Sequence, residues 1–246
     1  MTLSSSQMPE RVAKAIARAG VCSRRDAEKL ISERKVKINQ HVIDSPATLV
    51  TERDSIEVNG CPLPQKVKPR LWCYYKPRGV VTTHKDPQGR PTLFSTLPPT
   101  LPRVISVGRL DLMSEGLILL TNDGALARQL ELPSTRLKRV YRIRVFGRVE
   151  QERLAQLKKG ITIDGVHYGP IDARIVEQQN SNCWLRVSLR EGKNRELRKI
   201  FSHLGYTINR LIRENYGPFT IDRLQHGTLY EVPPEVLQEF LHALEK

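Results

Sequence analysis

The run VGRLDLMSEGLILLTNDGALA, Val107 to Ala127, is the stretch on which the fold turns. An apolar strand leads into Gly108, Arg109, Leu110 and Asp111, a polar loop continues to Gly116, and a second apolar run, GLILLT, follows. An acidic residue at the mouth between two buried strands can be held rigidly, as a nucleophile or general base requires. Aspartate is also common in loops that it caps and turns, so position alone makes Asp111 a candidate and nothing more. A helix is expected next, in DGALARQL, with Asp123 as its cap and Leu126 and Leu130 on one face.

Outward from this run, WCYYKPRGVVTT reads as strand on both sides of a Pro77 to Gly79 turn. KRVYRIRVFG and CWLRVSLR read as further strands, and RELRKIFSHLG as a helix closed by Gly205. The ending PPEVLQEFLHALE predicts a helix entered through proline, with Val236, Phe240 and Leu244 at intervals of four. Strands are not regularly paired with helices, which predicts an α+β fold rather than a parallel doubly wound sheet.

Upstream the pattern differs. From Pro9 to about Asn59 it gives two short helices and then short strands. RVAKAIARAG puts Val12, Ala15, Ile16 and Ala19 on one face and Arg11, Lys14 and Arg18 on another, with Gly20 as its stop. Ser23 can cap the next helix, Asp26 can return the hydrogen bond, and Arg24 and Arg25 project from the first turn. VKINQHVI then reads as two strands around Asn39 and Gln40. The proline-rich, basic segment CPLPQKVKPR disfavours regular structure. The expected organisation is therefore a domain at 9–60, a linker at 61–70 and a larger domain at 71–246, which suits a chain of 246 residues.

Forty Lys plus Arg against 26 Asp plus Glu leave a net charge of +14, which favours a polyanionic partner, nucleic acid first. Cys22, Cys61, Cys73 and Cys183 stand too far apart for a zinc or redox motif and read as free thiols in a reducing cytoplasm. No signal-peptide stretch and no apolar run of membrane-spanning length occurs, so the expectation is a cytoplasmic protein without a membrane partner. Walker, GxSxG and HExxH motifs are absent, and the six histidines show no metal-ligand spacing, so no metal and no cofactor is expected.

The module AKAIARAGVCSRRDAEKLISERKVKINQHVI resembles the S4 RNA-binding domain. That resemblance makes Arg11, Lys14, Arg24, Arg25 and Lys29 a phosphate-facing surface, against the alternative of a solvated helix face. The run from Val107, with YYKPRGVVTTHKDPQGRPTLFSTLP and EGKNRELRKIFSHLG, is similar to the RsuA and RluB group of ribosomal RNA pseudouridine synthases. The likeness covers nearly the whole chain. It implies a largely antiparallel mixed sheet with flanking helices and conversion of a ribosomal RNA uridine to pseudouridine.

In that family the aspartate of GRLD is catalytic, which corresponds to Asp111, attacking either the ribose C1′ or the uracil C6. The family's tyrosine corresponds to Tyr141, and its basic partner to Arg198, with Arg195 close by and of the same charge. Where the family usually has threonine before the glycine, this chain has Ser114, which keeps a hydroxyl. Arg109 is expected to fill the gap left by a flipped base or to hold phosphate, with a structural ion pair as the alternative. Lys76 and Arg90 are further RNA-contact candidates, Lys76 alternatively as a support of the catalytic loop. YYKPRG, DPQGRPT and NRELR look most like the B-type large-subunit enzymes, which makes 23S ribosomal RNA the expected partner of a monomeric protein. The alternatives are a 16S-directed enzyme, a non-catalytic ribosome-assembly factor, or a DNA-binding regulator using the N-terminal helices.

Overall fold

Asn39 and Gln40 adopt left-handed angles, φ +49° and +72°, and fold VKINQHVI back on itself as strands β2 (Val36–Ile38) and β3 (His41–Ile43). They do so in a computed structural model that describes residues 9–65, 67–222 and 224–244. The chain divides into two units. One holds the residues up to Pro69 with Thr100–Val104 and Asn122–Gly124, and the other holds Arg70–Pro99, Ile105–Thr121 and the chain from Ala125 onward.

In the first unit, β1 (Glu10–Arg11) pairs with β4 (Leu49–Val50), and β2 also pairs with β5 (Ile56–Val58). Helices α1 (Val12–Arg18) and α2 (Arg24–Ser32) close over a core of Val12, Ile16, Ala27, Ile31 and Val36. Ser23 caps α2 by accepting the Asp26 N–H at 3.1 Å. The Asp26 carboxylate in turn accepts the Ser23 hydroxyl, at 2.7 Å. The expectation of an irregular linker from residue 61 needs correction. Cys61–Pro62 forms β6 against β5, because a two-residue edge strand spends no N–H of its proline.

The second unit is built on one large sheet. Its strands are β7 (Leu71–Lys76), β8 (Ile105–Val107), β9 (Glu115–Thr121), β10 (Arg139–Phe146), β13 (Asp172–Gln178), β14 (Asn182–Leu189), β15 (Ile208–Tyr216), β16 (Phe219–Thr220) and β17 (Leu229–Glu231). The hairpin β11 (Ile161–Ile163) and β12 (Val166–Tyr168) lies outside it. The order is β13-β14-β10-β15-β9-β7-β17, with β16 on β15 and β8 on β9. Among the described residues every pairing is antiparallel except β15 with β9, which run parallel where Ile212 meets Glu115 and Arg213 meets Gly116. At that seam Gly116 has φ +100°, and a Cβ there would fall 2.4 Å from the Arg213 carbonyl oxygen.

The sequence pattern explains which faces are covered. LWCYYK and EGLILLT are buried at every position, their central apolar runs as a strand covered on both faces should be, and Lys76, Glu115 and Thr121 with them. RVYRIRVF alternates along β10 once past Tyr141, with Ile143 and Val145 buried and Arg142, Arg144 and Phe146 facing out. The β7–β9 half packs with α3 (Gly124–Glu131) and α6 (Pro234–Leu244). The β10–β14 half packs with α4 (Gln151–Gln156) and α5 (Glu196–His203). The expected face of α6 is rotated, with Leu237 buried and Phe240, Leu241 and Leu244 partly so, while Val236 is left 47% exposed. The expected strand after Gly79 is also absent as a strand. Residues 80–83 make one bridge, Val81 to Thr92, and otherwise turn to serve the loop described next.

Candidate active site

Between β8 and β9 the chain reverses through Gly108, at φ +66°, and residues 109–114 form a loop whose backbone is unusually well held. Five consecutive carbonyls of this loop each accept a hydrogen bond. Leu110 O takes the Thr82 hydroxyl at 2.9 Å, and Asp111 O takes the Ser114 N–H at 3.0 Å and the Lys76 ammonium at 3.3 Å. Leu112 O takes the Gly79 N–H at 2.8 Å, Met113 O the Arg198 Nη2 at 3.2 Å, and Ser114 O the Lys76 Nζ at 2.9 Å. A loop with its acceptors thus accounted for has few alternative conformations, and Asp111 projects its carboxylate from a fixed mount.

Lys76 lies beneath this loop, fully buried, with a third bond to Pro77 O at 3.0 Å. Its three protons are spent on carbonyls, so its assignment to RNA phosphate is corrected: the side chain supports the loop. Burial pushes its ammonium down to about 8, against the pull of Asp111 and Glu115. Lys76→Met fills the same channel without donors. The expected result is a kcat about 10²-fold lower, with KM little changed, because a loop displaced by about 1 Å misplaces the reacting group. Steady-state kinetics beside a thermal melt will check this, and an unaltered kcat in the folded variant would contradict it.

Asp111, about one-third exposed, faces two guanidiniums, Arg195 Nη1 at 3.7 Å and Arg198 Nε at 3.8 Å from its Oδ2. Arg198 comes from the first turn of α5 and also donates to Ile208 O at 3.1 Å, which ties the loop to the start of β15. Its buried Nε has no hydrogen-bond partner and points its charge at the carboxylate. Burial lowers the Arg198 pKa while Asp111 raises it.

Tyr141, on β10 and 8% exposed, lines the same cleft of about 790 Å³ as Asp111, Arg109, Arg195 and Arg198. Arg90 lies elsewhere, tied to Asp86 by two side-chain bonds of 2.6 and 3.0 Å. In the first unit Arg11, Arg24 and Arg25 are exposed. There Lys14 pairs with Glu10 at 3.1 Å and Lys29 with Glu33 at 3.7 Å.

Several side chains that shape the cleft were not among the candidates from sequence. Arg139 and Arg213, both buried, flank the Tyr216 ring at 4.6 and 5.1 Å and have no carboxylate within 4 Å among the described residues. The available signal was parity. Arg213 sits two residues after Leu211, at a core position of an alternating strand. Glu196 is buried against Glu191, and its Oε2 accepts the Lys193 N–H at 2.8 Å. Burial first, and then the neighbouring carboxylate, push the Glu196 pKa up. These acids lock residues 191–196, from which Arg195 reaches the site.

Comparison with known proteins gives the chain a family. A family model described as RNA pseudouridylate synthase matches residues 70–203, and one described as S4 domain matches residues 10–56. An uncharacterized RNA pseudouridine synthase of Rickettsia felis is 54% identical over 94% of this chain and 100% of that one. The protein named ribosomal large subunit pseudouridine synthase B in Bacillus subtilis is 35% identical over 92% of this chain and 93% of its own. A crystal structure of a pseudouridylate synthase superposes with a TM-score of 0.64 at 25% identity, covering 95% of this chain and 99% of that one. A cleft that joins one carboxylate to several arginines and a tyrosine, in a sheet of this order, is thus found in a chain that belongs to the RNA pseudouridylate synthases, enzymes that isomerise uridine in RNA, and that carries an S4 domain ahead of the catalytic fold.

Proposed function

We propose that the protein isomerises a uridine of 23S ribosomal RNA, with Asp111 as nucleophile, Arg198 as its ionic partner and Tyr141 against the flipped base. The observation that carries this reading is the mount of Asp111: a carboxylate on a loop with five gripped carbonyls, opposite two guanidiniums. The reaction breaks the N1–C1′ bond and joins C5 to C1′, the proton lost from C5 being balanced by one gained at N1, with no change of oxidation state. An ionised carboxylate is a competent nucleophile for that exchange, and the fixed charges of Arg195 and Arg198 need no rearrangement to attend it. Tyr141 offers a flat face for a base taken out of the stack, and exposed Arg109 reaches the space that base leaves. The protein acts as a monomer, and Arg11, Arg24 and Arg25 of the 9–60 module add backbone affinity rather than chemistry.

Large-subunit RNA is favoured because relatives bearing the name ribosomal large subunit pseudouridine synthase B are 35–39% identical to the chain. The test is to incubate purified protein with 23S and 16S transcripts and map pseudouridines by carbodiimide adduct formation and reverse transcription. A new stop in 23S alone is expected. A stop confined to 16S would reassign the substrate, and none in either would sink the proposal.

A further inference from the structure

The half of the sheet that carries Tyr141 has a second face. Along β10, Ile143 and Val145 lie in the core, whereas Arg142, Arg144 and Phe146 point the other way, and Phe146 is 65% exposed. On β14 the outward positions are Trp184 and Arg186. Strand register sets these side chains side by side: Arg174 stands opposite Arg186, Arg186 opposite Arg142, and Arg144 opposite Arg210. Like charges directly opposite one another on adjacent strands, about 4.8 Å apart, destabilise a sheet.

Counter-ions cover only part of this cost. Arg186 has Glu214 at 3.5 Å and Arg210 has Glu115 at 2.7 Å, but Arg142, Arg144 and Arg174 have no carboxylate within 4 Å among the described residues. Trp184 organises the group. The guanidiniums of Arg142, Arg144 and Arg210 stand 4.6, 5.8 and 5.9 Å from its ring, and the Arg142 Nε is buried with no hydrogen-bond partner. Guanidiniums held on an aromatic ring lose little further freedom when they meet a planar or tetrahedral anion.

The geometry points to a second RNA surface: Arg142 and Arg144, set around Trp184, and Arg174, opposite Arg186 on the next strand, hold backbone phosphates of RNA beyond the target nucleotide from the face opposite the cleft. A polyanion relieves the repulsion between the opposed arginines. The inference rests on the RNA-directed activity of the family, not on which RNA is the substrate.

The test uses the full-length protein and a triple variant, R142A/R144A/R174A, with R142K/R144K/R174K as the charge-preserving control. Filter binding to a long ribosomal RNA transcript is measured across a KCl series, beside binding to a hairpin just large enough to fill the cleft. On the long transcript the alanine variant is expected to bind about tenfold more weakly, with a log–log salt slope shallower by about 2 to 3, from three lost phosphate contacts. The lysine variant keeps the slope, and hairpin binding is unchanged in both. An unaltered slope and affinity in the folded alanine variant would overturn the assignment, as would an equal loss on the hairpin. Binding is read without modification, so failure to modify 23S RNA leaves this test intact.

Discussion

Asp111→Ala is expected to lower the single-turnover rate of pseudouridine formation by at least about 10⁴-fold, the scale on which enzymes lose activity with their nucleophile. Affinity should move the other way. The carboxylate faces Arg195 at 3.7 Å and Arg198 at 3.8 Å, in a cleft that also holds Arg109, Arg139 and Arg213. Removing its charge leaves those arginines with more positive potential for a polyanion, so RNA is expected to bind as tightly as before or slightly more so. The loop should survive, since its grip runs through backbone carbonyls that alanine retains. Quench-flow rates and filter binding on one RNA preparation measure both quantities. A rate within tenfold of wild type would remove Asp111 from the chemistry, and a rate loss matched by an affinity loss would make it a binding residue.

Gly116→Ala is expected to be the most destabilising single-methyl change in the second unit, costing about 3 kcal/mol or more. Two independent penalties act together. The backbone angle of φ +100° disfavours any side chain, and the new Cβ would lie 2.4 Å from the Arg213 carbonyl oxygen and 2.8 Å from its nitrogen. The clash is with backbone, which no rotamer change relieves. It falls on the parallel register of β9 and β15, between the two halves of the sheet. Urea unfolding followed by circular dichroism provides the measurement. Gly79→Ala is a useful comparison, because its φ of +80° is similar but nothing lies within 4 Å of its Cβ. If the two substitutions cost the same, angle alone governs position 116 and the close approach is irrelevant.

Much of this architecture was legible from pattern. GLILLT and CWLRVSLR announced their strands, Ser23 announced its cap, and the NQ turn its hairpin, because each depends on neighbours in sequence. Residues 147–181 were silent: α4, β11, β12 and β13 lie there, and their short, charge-rich runs show neither period clearly. At the site, position between apolar strands made Asp111 only a candidate, and the likeness of its GRLD run to the family's motif singled it out. Lys76 stayed open between RNA contact and loop support because a lysine at a strand end is ordinarily solvated, and its burial depends on carbonyls 35 and 38 residues away. Arg139 and the Glu191–Glu196 pair were invisible for the same reason, and Arg213 offered only its parity with Leu211. A buried charge depends on partners that only the folded chain assembles.

The seam between β9 and β15 has a consequence for the order in which this protein becomes competent. Its registering residues, Gly116 and Arg213, are nearly a hundred positions apart, and the loop's grip by Arg198 spans 85. Contacts of such separation form late, after the local hairpins and helices. During synthesis the N-terminal module emerges first and can fold while the catalytic sheet is still incomplete. With the RNA-binding role proposed for that module, a nascent chain is expected to hold RNA before it can modify it, with chemistry waiting for β15 to close against β9.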